Sequence, residues 1–347
     1  MVLELDRPIV QAPMAGGPST PALAAAVSEA GGLGSLAAGY KTPDAVRDDV
    51  RATRALTSRR FGLNVFVPGP LGDPEAVRRY ADALREDARR AGVELGDPVH
   101  DDDAWEAKVA VAVEERVPVV SFTFGLPRPD MVTALHDAGA TVLVTVTTPQ
   151  EAADARDTGA DALVVQGIEA GGHRGGPSDE DGVGEYGLLT LLRLVRDTVD
   201  LPLVAAGGLM DGAGVAAVLV AGAEAAQLGT AFLLSPEAGT SAMHRAALGT
   251  ARPTALTRAF SGRRARGLVN RFLTEHSAAA PAAYPEVHHL TTPLRAAARA
   301  SGDAEVVNLW AGQGHALCRA EPAGDLVRRI AADAADAADV LRRHTRT

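Results

Sequence analysis

The most pointed chemistry in the chain is the run Glu169-Ala170-Gly171-Gly172-His173-Arg174-Gly175-Gly176. So glycine-rich a segment cannot be a packing element, so His173 is displayed there for a purpose. An imidazole, whose ordinary pKa is near neutral, suits the role of general acid/base or polar clamp. Arg174 beside it is placed either to hold an anion or to salt-bridge Glu169. The other eight histidines fall in expected helices or in the tail and read as structural. Two more glycine-bearing stretches, Ala206-Gly207-Gly208 and Gly229-Thr230, follow apolar runs. Bare glycine backbone lets N–H groups approach an anion, so these two stretches read as a phosphate site. The amides Asn64 and Gln166 lie within apolar runs and are read as residues at strand ends. An amide both donates and accepts, which suits the polar edge of a heterocycle such as a flavin ring.

Other chemistries are excluded. There is no HExxH, no acidic calcium loop, no GxSxG elbow and no P-loop, and the neighbours His288 and His289 cannot share one helix face. No metal site is expected. Gly32-Leu33-Gly34 opens an apolar run instead of following one, so it is not a dinucleotide fingerprint. The single cysteine, Cys318, rules out an internal disulfide and reads as a small, partly buried hydrophobe. With 34 basic residues against 44 acidic ones, the formal charge of −10 argues against a nucleic-acid partner. Neither a signal peptide nor a membrane span is visible, so the expected setting is cytoplasmic. The expected partner is a small-molecule substrate, and a homodimer is left open.

Eight apolar runs must position these residues: 8–13, 32–38, 61–67, 117–124, 141–147, 161–167, 201–206 and 225–233. Continuous runs of this length match parallel strands covered on both faces. Aromatic residues are only 4% of the chain, so Ala, Val and Leu must build the core. Helix starts are marked by Thr20-Pro21, Thr42-Pro43, Asp211-Gly212 and Thr148-Pro149-Gln150-Glu151, the last a capping-box pattern. The recurrent AGGLG, AGATV, TGADA and AGAEA each close a helix and launch a strand. These units predict an α/β fold, a (β/α)8 TIM barrel, over an open doubly wound sheet. Residues 1–235 form the barrel, with an insertion at 68–116 after the third strand, and 236–347 form a C-terminal helical extension packed on it. In such a barrel the site lies at the carboxyl ends of the strands, which also brings in Ala12, Pro13 and Met14.

Four stretches resemble the nitronate monooxygenases, formerly 2-nitropropane dioxygenases: PIVQAPMAGG (8–17), DALVVQGIEAGGHRGG (161–176), 201–233 with AAGG and QLGT, and LWAGQG (309–314). FGLNVFVP (61–68) and VVSFTFGLP (119–127) match more weakly. The resemblance implies an FMN-dependent barrel that oxidises alkyl nitronates, with nitroalkanes as a further substrate class, with O2 to a carbonyl compound and nitrite. It makes His173 the catalytic histidine, and Asn64, Gln166, Gly171, Gly208, Gln227, Leu228, Gly229 and Thr230 cofactor contacts. Ala12, Pro13, Met14 and Gly207 complete the expected cofactor set. An FMN-dependent NAD(P)H:quinone or enoyl-thioester reductase on the same barrel is the alternative. The chain departs from the family pattern at Asp303–Asn308, where members tend to carry Lys and Tyr, and at Thr123, where many have His.

Overall fold

The structure, a computed structural model, describes residues 2–345. Its strands are β1 (Ile9–Gln11), β2 (Ser35–Ala37), β3 (Gly62–Phe66), β4 (Val119–Thr123), β5 (Thr141–Val146), β6 (Ala162–Gln166), β7 (Gly172–His173), β8 (Leu203–Ala206), β9 (Ala225–Leu228), β10 (Thr254–Thr257) and β11 (Ala265–Leu268). Each expected apolar run contains one strand of an eight-stranded parallel sheet, ordered β1-β9-β8-β6-β5-β4-β3-β2. The circle closes where Val10 and Leu33 make a parallel bridge, with Gln11 N donating to Leu33 O at 2.8 Å and Leu33 N to Ile9 O at 2.9 Å. The result is the (β/α)8 barrel read from the sequence.

The helices are α1 (Pro21–Glu29), α2 (Pro43–Leu56), α3 (Pro74–Ala91), α4 (Trp105–Glu114), α5 (Pro129–Asp137), α6 (Pro149–Asp157), α7 (Leu188–Thr198), α8 (Gly212–Val220), α9 (Ala242–Leu248), α10 (Arg271–His276), α11 (Glu286–Ser301) and α12 (Ala323–Thr345). The capping signals act as expected: Thr20, Thr42, Thr148 and Asp211 each accept a bond from a backbone N–H three residues on. Thr148 and Glu151 form the full reciprocal capping box. Among the described residues no helix is long and apolar enough to cross a membrane.

Residues 236–345 are less purely helical than expected. They contribute the hairpin β10–β11, and β11 pairs with the two-residue β7 in a small antiparallel sheet at the barrel mouth. Helix α12 packs on α1 and α8, filling the place in the outer ring that follows β9. The insertion and the tail meet over the mouth: Tyr80 and Leu84 of α3 share a buried cluster with Phe260, Phe272 and Leu290. The barrel floor is closed by Leu3 and Leu5, which pack with Val10, Val164 and Val204.

Candidate active site

A cavity of about 430 Å³ opens at the carboxyl ends of the strands, beneath the layer made by the small sheet and α11. It brings together Ala12, Pro13, Met14, Asn64, Gln166, Gly171, His173, Gly207, Gly208, Gln227, Gly229 and Thr230. Of the expected set only Leu228 turns away. Side chains alternate along a strand, so Gln227 faces the mouth and Leu228 packs in the core, while its carbonyl accepts from Ala12 N at 2.8 Å. A buried glutamine absent from the sequence reading, Gln11, braces the loop after β1. Its Oε1 accepts from Ser35 N and its Nε2 reaches Ser19 Oγ at 3.1 Å, and that hydroxyl accepts from Met14 N at 2.9 Å.

His173 is held on β7 by pairing with Ala265 of β11, a partner nearly a hundred residues away. Gln166 does not simply point at a ligand. Its Nε2 donates to His173 O at 3.1 Å and its Oε1 accepts from Gly175 N at 2.8 Å, so it pins both ends of the histidine turn. Arg174 turns to backbone carbonyls and makes no ion pair with Glu169. Buried, it donates to the carbonyls of Gly167 (2.6 Å), Gln166 (3.0 Å) and Gly184 (2.7 Å), stitching the glycine-rich loop to the end of β6. Asn64 donates to Ser121 O (3.1 Å), Ser121 Oγ (3.0 Å) and Thr123 Oγ1 (2.8 Å), so Thr123 serves to orient the amide.

The imidazole of His173 meets Phe124, Tyr284 and Trp310 at ring-centroid distances of 5.6, 5.8 and 5.5 Å. Its Nε2 lies 2.8 Å from Ser261 Oγ, which is also 3.2 Å from Arg263 O. Turned to the carbonyl, that hydroxyl accepts from Nε2–H and leaves Nδ1 a lone pair. Turned to Nε2, it donates and leaves Nδ1–H as a donor, so one hydroxyl rotation sets the tautomer. Burial, aided by the Arg263 and Arg295 charges, lowers the His173 pKa to about 3. The ring is therefore neutral at pH 7, which corrects the expectation of a near-neutral titrating group.

Two histidines read as structural also line the cavity. His244 Nε2–H donates to Trp310 O at 3.0 Å, and burial lowers its pKa to about 4. His288 stacks on Tyr40 at 4.3 Å, and burial with the Arg295 charge lowers its pKa to about 2. All three titrate near 6.5 when unfolded, so below that pH the unfolded chain binds more protons than the folded one. Stability then rises with pH, and it is lost progressively as pH falls from about 6.5 through the folded values of about 4, 3 and 2. We expect the thermal midpoint to drop by roughly 5 °C or more between pH 7 and pH 5, and His244→Gln to shallow that slope. A midpoint that is flat or rises on acidification would contradict the neutral histidines.

At the far end of the mouth, Gly207 and Gly208 adopt φ of +127° and +69°, and β8 and β9 lie side by side there. Those backbone angles favour glycine. Thr230 Oγ1 accepts from Gly312 N at 3.0 Å, and Gln313 N donates to Glu169 O at 3.0 Å. The LWAGQG segment thus returns from the tail to the mouth and touches both the histidine loop and the end of β9. Among the described residues no carboxylate lines the cavity. Its charged lining groups are Arg295 and Arg299, one helical turn apart on α11, and neither was singled out by motif or spacing. The one cluster of potential metal ligands among the described residues, Asp87, Glu275 and His276, lies elsewhere. Arg271 Nη1 already bridges Asp87 (2.9 Å) and Glu275 (2.5 Å).

A family model described as nitronate monooxygenase matches residues 2–333. The chain belongs to the nitronate monooxygenase family. The nitronate monooxygenase of Pseudomonas aeruginosa is 45% identical over 343 residues, spanning 95% of this chain and 96% of the relative. A solved structure of nitroalkane oxidase from Streptomyces ansochromogenes superposes with a TM-score of 0.95 at 54% identity, covering 97% of this chain and 98% of that one. FabK from Thermotoga maritima is more distant, with a TM-score of 0.75 at 29% identity over 99% and 97% of the two chains. The chain is thus an oxidoreductase of this family on a TIM-barrel fold. Residues 303–308, which carry neither Lys nor Tyr, are anchored through Asn270. Asn270 Nδ2 donates to Ala304 O and Val307 O, both at 2.9 Å, while Asn308 faces the cavity. Tyr40, from the loop after β2, brings a phenol to the cavity wall instead.

Proposed function

We propose that the enzyme binds FMN across the barrel mouth and oxidises alkyl nitronates with O2 to a carbonyl compound and nitrite. The observation that carries this reading is the union, in one cavity without a carboxylate among the described residues, of a neutral histidine, two arginines and glycine-rich strand ends. A volume of about 430 Å³ is within the usual range for cofactor pockets. Gly207, Gly208, Gly229 and Thr230 would hold the phosphate, and Asn64 with Gln166 would border the ring. When bound, FMN supplies the redox chemistry, taking electrons from the nitronate and passing them to O2.

The protein's own part is position and electrostatics. A nitronate oxygen selects the tautomer of His173 that presents Nδ1–H, with Ser261 donating to Nε2. Phe124, Tyr284 and Trp310 wall the imidazole and exclude water from it. An imidazole with a pKa of about 3 is a weak base toward a C–H acid, so preformed nitronates are expected to turn over faster than neutral nitroalkanes.

The test is purification, a visible spectrum, and anaerobic mixing with a nitronate and with NADH side by side. We expect a yellow protein, bleached by the nitronate, that forms nitrite in air. Bleaching by NADH with no nitronate turnover would move the assignment to a reductase, and a colourless protein that gains no flavin spectrum with FMN would end it.

A further inference from the structure

In a chain of formal charge −10, the cavity is lined by two arginines and, among the described residues, by no acidic side chain. Arg295 is the deeper one, only 6% exposed, and it has no carboxylate partner among the described residues. Its own helix satisfies part of the guanidinium. Nε donates to Thr291 Oγ1 at 3.1 Å, and Nη2 to His288 O at 2.7 Å and to Thr292 Oγ1 at 2.8 Å. Nη1 has no partner among the described residues, yet it is not sealed from solvent as a buried orphan would be. In a residue this buried that lines the cavity, the free nitrogen faces the cavity. A guanidinium desolvated without a counter-ion is costly, and an anionic ligand repays that cost. Burial lowers its pKa only to about 10, so the charge persists at pH 7. Arg299, one turn on, is exposed at the rim and among the described residues bonds only Asn308 Oδ1, at 2.8 Å.

We propose that Arg295 anchors the substrate's anionic head through Nη1 on the side of the cavity that carries His173, while Arg299 at the rim draws anions inward. The anchor sets specificity for the deprotonated substrate: a nitronate gains a charge-assisted bond that the neutral nitroalkane of the same skeleton does not. This assignment rests on the nitronate reading of the site, but anion binding tests it separately.

The experiment compares wild type, Arg295→Gln and Arg295→Lys, each flavin-loaded, on a nitronate and on its parent nitroalkane, with inorganic nitrate as an unreactive planar anion. In Arg295→Gln, KM for the nitronate should rise about 10- to 100-fold, with kcat changed less. The nitroalkane kcat/KM should change by less than about threefold. Arg295→Lys should recover part of the nitronate loss, and nitrate affinity, read by calorimetry, should follow the charge. Arg299→Gln should weaken nitronate capture chiefly at low ionic strength, where an exposed charge is least screened. Equal losses on both substrates, or an unchanged nitronate KM, would overturn the anchor. If the wild type turns over neither substrate, the proposed reaction fails, and nitrate binding alone decides: dependence on Arg295 supports the anchor, and independence overturns it.

Discussion

His173→Ala is expected to lower nitronate turnover about 100-fold or more, while the protein still purifies with its flavin. The first half follows from position: His173 is the imidazole at the centre of the aromatic wall, with one ring nitrogen held by Ser261 and the other available. Losing a placed hydrogen-bond donor or acid/base group costs on the order of 100- to 10,000-fold. The second half follows from the separation of tasks. The expected phosphate cradle lies on β8, β9 and the segments just after them, and Gln166 binds the backbone of residue 173, not its side chain. Ser261→Ala should cost less, about tenfold, because it frees the tautomer without removing the ring. Nitrite formation under saturating nitronate, together with the flavin-to-protein ratio, measures both halves. Retained turnover would remove His173 from the chemistry, and loss of flavin would show that its loop builds the cofactor site.

How far the sequence reaches depends on the range of the interaction. The eight barrel strands are legible because each is buried on both faces and so reads as a continuous apolar run. The caps at Thr20, Thr42, Thr148 and Asp211 are legible because a cap bonds within three residues. Strand β7 is invisible at this level: two residues have no periodicity, and Gly172-His173 become a strand only against Arg266 and Ala265. The same reason hides Arg295, His244 and His288, which sit in ordinary helical patterns and acquire meaning when α9 and α11 close over the mouth. The His173 pKa is hidden too, since its chief cause is burial, by rings from three separate segments.

Gly171→Ala is expected to cost stability and cofactor together, although it adds a single methyl group. A Cβ at Gly171 would press on the Gly312 nitrogen and lie 2.6 Å from the Ala311 carbonyl carbon. Both are backbone atoms, so no rotamer change relieves the contact, and the LWAGQG segment must move. Moving it strains the Gly312 N bond to Thr230 Oγ1 and the Gln313 N bond to Glu169 O, both 3.0 Å long. Overpacking costs about 1–3 kcal/mol, and each weakened hydrogen bond adds about 1 kcal/mol. For a protein of this size the thermal midpoint should fall by roughly 5–10 °C. Thr230 would lose its tie at the phosphate end and Trp310 its seat against His173, so FMN affinity should drop about tenfold or more. Gly172→Ala is the matched control. Its φ of +74° disfavours alanine, but a Cβ there meets nothing within 4 Å, so its cost is backbone strain of about 1 kcal/mol. Thermal melts and FMN titration of the two variants separate crowding from strain. If Gly172→Ala proves the more damaging, the close approach of the two loops is not what holds the mouth together.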